Sequence, residues 1–141
     1  MRADHGRIFM GRLPFEGDLL GSLTTVCLNE NIQFGWLSVI GAVSSGVLGY
    51  YRQDEREYME CFSLEKGLEI VSCTGSVSLR DGEVFLHAHA TLADEQGRCY
   101  GGHLMPGTRI FAAEYYIIEL PGEPLRREFD AETGLAMWPV K

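Results

Sequence analysis

Alternating apolar and polar residues dominate the chain from residue 34 to residue 120 and predict a series of β-strands. The predicted strands are 7–13, 34–40, 46–51, 58–64, 69–79, 84–92, 98–104 and 109–120. Turn residues separate them, including Gly41–Gly46, which we interpret as a tight connection, and Asp81-Gly82, a pair that tolerates the positive φ of a hairpin. Short strands joined by short turns indicate a mostly antiparallel sheet.

One segment has the periodicity of a helix instead. Its apolar residues recur at spacings of three and four and form one stripe: Leu19, Leu20, Leu23, Val26 and Cys27. Asp18 is the predicted N-cap, and 29–31 the predicted end. No repeat or linker divides the chain, so we expect one α+β domain over residues 1–141, with a core at about 7–120 and a mixed tail at 121–141.

The charge balance argues against one class of partner. The net charge is −8 over 141 residues, and no long run of Lys and Arg is present. An acidic domain repels a phosphate backbone, so the chain is a poor candidate for binding nucleic acid unaided.

The cysteines and the apolar segments indicate the cellular location of the protein. Cys27, Cys61, Cys73 and Cys99 form no Cys-x-x-Cys pair, a usage typical of reduced thiols in the cytoplasm. Met1–Arg7 has no apolar stretch after its charges and predicts no secretory signal. No run is long enough to cross a bilayer, so we expect no membrane partner.

Three histidines form the densest cluster of candidate chemistry. His87 and His89 are two residues apart in a predicted strand, so they project from one face of the sheet. The turn at 93–97 is short enough for an antiparallel return, which can place His103 beside them. Three neutral imidazoles suit zinc with an open fourth position, although other divalent metals accept the same ligands. The alternative is that all three are ordinary sheet and turn residues.

Other polar residues complete the set of candidates. Cys99 lies near His103 in sequence and is a weaker candidate for a fourth ligand, whereas His5 is interpreted as a terminal residue without a site. Glu69 and Glu114 are acids within apolar strands. Either carboxylate could support the histidines or pair with an arginine, and the plainer interpretation places both on a half-exposed strand face.

An ordered series of motifs resembles the PPC domain, a domain shared by plants and prokaryotes. The resemblance covers about Arg7 to Leu120. It rests on these segments: Leu68–Ser76, Asp81-Gly82, His87-Ala88-His89, Asp94–Gly97, Gly101-Gly102-His103-Leu104 and Pro106-Gly107.

The resemblance implies a sheet of about seven strands, mainly antiparallel, with one main helix and a homotrimeric assembly. In prokaryotic members a histidine triplet of this type is associated with zinc near a subunit boundary, and His87, His89 and His103 match that triplet. Plant members carry AT-hooks that bind DNA. This chain has no such motif, and Lys66-Gly67 departs from the plant pattern, so plant nuclear function is not transferred.

Three functions therefore remain as hypotheses. The first, which we favour over an enzyme, is a cytoplasmic, trimeric metal-binding protein that senses or holds a small molecule. The second is a DNA-associated regulator in which a trimer displays several arginines together: Arg2, Arg7, Arg12, Arg126 and Arg127. The third is a metal-dependent enzyme of unknown substrate with Glu69 or Glu114 as the base.

Overall fold

A computed structural model describes residue 4 and residues 6–140 of the chain. Arg2 and His5 lie outside the described residues, as does most of Met1–Arg7, the segment predicted to carry no secretory signal. The elements in chain order are β1 (Ile8–Arg12), α1 (Leu19–Asn29), β2 (Gly35–Arg52), β3 (Glu57–Leu64), β4 (Leu68–Arg80), β5 (Glu83–Ala93), β6 (Cys99–Leu104), β7 (Arg109–Glu119), β8 (Arg126–Asp130) and β9 (Leu135–Met137).

The predicted fold class is confirmed, and the sheet is larger than about seven strands. Its order is β1-β7-β2-β6-β5-β4-β8-β9, with β3 paired to β2 and a further pairing of β2 with β4. All pairings are antiparallel except that of β8 with β4. Strands β1 to β7 lie within the predicted core, and the tail adds β8 and β9, so the described residues form nine strands.

The predicted break within the second strand is wrong. Strand β2 runs for 18 residues through Gly41–Gly46, because register shifts at residues 39–45 absorb the irregular sequence as bulges. Its first half pairs with β7 and β4, and its second half with β3 and β6. Since β4 also pairs with β5, and β5 with β6, these pairings close a circuit through β2, β4, β5 and β6.

The helix forms where its pattern predicts. The Asp18 carboxylate accepts a hydrogen bond from the Gly21 N–H at 2.7 Å and caps the first turn. Leu19, Leu23 and Cys27 are buried in the core. No helix in the described part of the chain is long and apolar enough to cross a membrane.

The sheet has a core face and an opposite face, which we call the outer face. Core-facing strand residues such as Leu37, Ala88 and Leu104 are buried. Their neighbours along each strand point the other way. Partners in register share a face, which places Trp36, Ser76 and His87 together on the outer face. The three histidines lie on this outer face.

Candidate metal centre

The structure brings the three histidines together as their spacing predicts. His89 pairs in register with His103 across β5 and β6, and His87 lies two residues from His89 on the same face. One ligand nitrogen from each ring can be chosen so that all three lie within 4.8 Å of one another. The Nε2 atoms of His87 and His89 are 3.2 Å apart.

Close strand packing fixes the position of His103. His103 pairs with Gly49 of β2, and the adjacent Gly102 faces the same strand from the core side. A Cβ atom on Gly102 would lie 2.7 Å from the Gly49 carbonyl oxygen, which is too close for any side chain. The Tyr58 ring covers His103 with ring centroids 4.7 Å apart.

The surroundings keep at least two of the imidazoles neutral. Burial, with the charges of His103, Arg127 and His89, lowers the pKa of His87 to about 4. Burial, with His89 and Arg127, also lowers the pKa of His103. A neutral imidazole carries a free lone pair, so at neutral pH these rings are ready to bind a metal without first losing a proton.

The geometry fits a tetrahedral metal ion. Two nitrogens at the usual Zn–N distance of about 2.0–2.1 Å lie about 3.3 Å apart in a tetrahedral site, which matches the 3.2 Å between the Nε2 atoms of His87 and His89. The Nδ1 atom of His103 is buried and has no hydrogen-bond partner. An unpartnered buried nitrogen costs free energy, and a metal ligand bond would remove that cost if this nitrogen is the ligand.

A buried arginine adjoins the histidines and was missed by the sequence analysis. Arg127 of β8 is 7% exposed. Its guanidinium lies over the Phe85 and Trp138 rings, 5.2 and 4.6 Å from their centroids. The Arg126-Arg127 pair sits in a mixed tail and is typical of an exposed surface, so no signal in the sequence indicates that one of the two is buried.

A small cavity connects this arginine to the histidines. Its volume is about 80 Å³. The lining includes Tyr58, Arg80, Phe85, His87, His103 and Arg127.

The structure separates the other predicted residues from the cluster. Cys99 is exposed and pairs with Ala93, four residues from the level of His103, which corresponds to about 13 Å along a strand. A fourth-ligand role for Cys99 within this chain is therefore wrong.

The two strand carboxylates lie elsewhere as well. Glu69 and Glu114 are exposed, as the plainer interpretation expected, and neither belongs to the histidine cluster. Arg98 pairs instead with the buried Asp94 at 2.7 Å, and Arg109 pairs with Glu65. Neither glutamate is placed to act as a base at the histidines.

The arginines proposed as a shared DNA surface are not equivalent. Arg7 is bound to the Glu119 carboxylate at 2.6 Å, and Arg127 is buried. Arg12 and Arg126 are exposed, while Arg2 lies outside the described residues. The described members of the set therefore form no common basic surface within the chain.

Comparisons with known proteins agree with the motif resemblance. The Plants and Prokaryotes Conserved (PCC) domain, called PPC above, matches residues 2–121. A metal-containing protein from Archaeoglobus fulgidus is 37% identical, with a TM-score of 0.92 and coverage of 99% of this chain and 97% of that chain. A plant- and prokaryote-conserved (PPC) protein from Pyrococcus horikoshii is 34% identical, with a TM-score of 0.92 and coverage of 99% and 96%.

Curated relatives are longer proteins. The chain is 34% identical over 130 residues to a protein from Synechococcus sp. named bifunctional protein GlmU, which covers 91% of this chain. The chain spans about a fifth of that protein's length, since the match covers 20% of it. With a family match over most of its length and two close structural relatives, the chain belongs to the Plants and Prokaryotes Conserved domain family.

Proposed function

We propose that the chain is a metal-binding protein in which His87, His89 and His103 hold one divalent ion, most simply zinc, in a small-molecule-binding or regulatory role. The observation that carries this proposal is the cluster of three imidazole nitrogens within 4.8 Å. The description of the Archaeoglobus fulgidus relative as metal-containing supports it.

Zinc is the first choice because of the ligand set. Three neutral imidazoles with an open fourth position form a site type that zinc occupies in proteins, where it acts as a Lewis acid toward a bound ligand. Nickel, copper and iron also accept imidazole, so the ligands select a class of metal rather than one element.

We also propose a homotrimer, with the outer face in the subunit interface. Two rows of paired residues cross the sheet on this face. One runs from Ile8 through Ile118, Trp36 and Ser76 to His87, and the other from Met10 through Tyr116, Ser38 and Thr74 to His89 and His103.

The apolar ends of these rows are uncovered in a single chain. Met10 is 75% exposed and Trp36 is 51% exposed. Contiguous exposed apolar surface of this kind marks a protein–protein contact. Since both rows lead from the apolar strands to the histidines, association through this face would bring the proposed metal centre close to a neighbouring subunit.

The tested properties are metal affinity and assembly. When zinc is titrated into metal-free protein in competition with a chromophoric chelator, about one ion should bind per chain. Zinc affinity should be at least about tenfold lower in each of the variants His87→Ala, His89→Ala and His103→Ala. Sedimentation of the same samples should give the mass of three chains. Wild-type affinity in all three variants would refute the site, and a monomeric mass at micromolar concentration would refute the trimer.

The remaining hypotheses have less support. Catalysis with Glu69 or Glu114 as base has no geometric basis because both lie away from the cluster. DNA binding has no described basic surface to carry it, and the net charge is −8. Four free cysteines fit a cytoplasmic location, which we propose with the same function.

A further inference from the structure

The Arg127 guanidinium is buried without an acidic partner. It donates hydrogen bonds to the Ser78 hydroxyl at 2.9 Å, the Ala136 carbonyl at 3.1 Å and the Ser76 hydroxyl at 3.2 Å. All three acceptors are neutral. No described carboxylate lies within salt-bridge distance of this side chain. A buried cation without a counter-charge is costly, so a negatively charged ligand near this guanidinium would be stabilised.

The same arginine lies beside the histidine cluster. Ser76, which accepts its hydrogen bond, pairs in register with His87, and Ser78 pairs with Phe85. Arg127 therefore occupies the outer face with one strand, β4, between it and the strand of His87. Both side chains line the cavity of about 80 Å³.

The charges around this cavity are all of one sign. Arg80 and Arg127 line it, the histidines are neutral ligands, and a bound divalent ion would add two positive charges. Among the residues that the structure describes, no carboxylate lines the cavity. The chain has a net charge of −8, so this cavity is a positively charged region in an acidic protein.

We propose that this cavity binds a small carboxylate anion between the metal at the histidine cluster and the Arg127 guanidinium. The inference rests on the proposed metal function and names the class of ligand that the site takes. Arg127 comes from β8, beyond residues 2–121 that match the family, so the tail supplies the anion-binding group of the site.

Donor count and size both favour a small planar anion. A guanidinium has five N–H donors in one plane, of which three are used here, and its fork suits the two oxygens of a carboxylate. The cavity volume of only about 80 Å³ favours an acetate-sized ligand over a larger one such as a nucleotide.

The test is a titration of zinc-loaded protein with ¹³C-carboxyl-labelled acetate, followed by NMR line broadening and shift. The variants are Arg127→Gln, which removes the charge, and Arg127→Lys, which keeps the charge and removes the planar fork. Arg126→Gln is the matched control because Arg126 is the preceding residue of the same strand and is exposed. Circular dichroism and zinc content are measured for every sample.

We expect wild type and Arg126→Gln to bind acetate with equal affinity. We expect Arg127→Gln to bind it at least about tenfold more weakly with zinc retained, because a charge-assisted pair of hydrogen bonds is lost. The acetate affinity of Arg127→Lys should lie between those of wild type and Arg127→Gln. If Arg127→Gln does not fold, the affinity of Arg127→Lys tests the anion site.

Two failures are distinguishable. Zinc-loaded wild type that binds no acetate up to about 100 mM, or Arg127 variants with wild-type affinity, would overturn the anion site and leave the metal function intact. Wild type that takes up no zinc would overturn the proposed function and the anion site together.

Discussion

Substituting Gly102 by alanine tests how the fold positions the metal centre. A Cβ atom at Gly102 would lie 2.7 Å from the Gly49 carbonyl oxygen and 3.1 Å from the Leu48 Cβ. Both contacts involve β2, whose backbone cannot rotate away, so β6 must move outward by several tenths of an ångström. His103 follows directly in the chain and moves with β6, whereas His87 and His89 lie on β5, which the added methyl group does not contact.

The size of the effect follows from that overlap. Forcing an extra methyl group into a packed interior costs about 1–3 kcal/mol of folding free energy. For a chain of this length each kcal/mol corresponds to about 2–4 °C in Tm. Displacing one of three ligands should also lower zinc affinity by about tenfold or more.

Gly101→Ala provides the matched control. The nearest atoms to a Cβ atom at Gly101 are the Ala90 carbonyl oxygen and the Thr91 Oγ1, both at 3.7 Å, which is an ordinary contact. We expect this variant to keep wild-type Tm within about 2 °C. Thermal unfolding of metal-free and zinc-loaded samples at one protein concentration measures both effects. Equal Tm and equal zinc affinity in the two glycine variants would refute the reasoning.

Three further predictions concern acid stability, the helix cap and assembly. Asp94 is buried, and burial raises the pKa of its carboxyl, but hydrogen bonds from Arg98 and others outweigh burial and lower that pKa. The stability that this carboxylate adds to the fold is complete above about pH 3.9 and is lost as pH falls through the lowered pKa. In Asp94→Asn the urea concentration at the unfolding midpoint should therefore fall less steeply with decreasing pH below about pH 4 than in wild type. An unchanged slope would contradict this. The Asp18 carboxylate accepts hydrogen bonds from two backbone N–H groups, one of them that of Gly107 at 2.7 Å. Asp18→Ala should therefore lower the free energy of unfolding, measured with denaturant, by about 2–3 kcal/mol, and a loss below about 0.5 kcal/mol would contradict this. Trp36→Glu should shift sedimentation toward the monomer because it places a charge in the apolar outer face, and an unaltered mass would exclude that face from the interface.

Local patterns predicted the helix and the hairpins because their causes are local. The Asp18 cap and the leucine stripe define α1 without tertiary contacts. Asp81 and Gly82 adopt φ of 53° and 84°, as the hairpin requires. The continuity of β2 through Gly41 could not be predicted, because bulges held by two neighbouring strands keep it extended. Strands β8 and β9 were also missed. They form a short local hairpin, but β8 joins the main sheet only by parallel pairing with Leu79 and Arg80, which are distant in the sequence.

The same distinction applies to the site. The convergence of the histidines was predictable because strand period and turn length determine which residues pair. The burial of Arg127 depends on serines about fifty residues earlier and on rings from two separate segments. The contact of Tyr58 with His103 likewise depends on the pairing of β3 and β6 with the same strand. Neither contact leaves a pattern in its own segment.

The most direct test of the central claim is the metal content per chain, measured by inductively coupled plasma mass spectrometry on protein equilibrated with zinc and freed of unbound metal. Wild type and the control His5→Ala should contain about one ion per chain, and His103→Ala should contain almost none. A zinc content near zero in wild type, or an undiminished content in His103→Ala, would contradict the assignment of the three histidines as a metal centre.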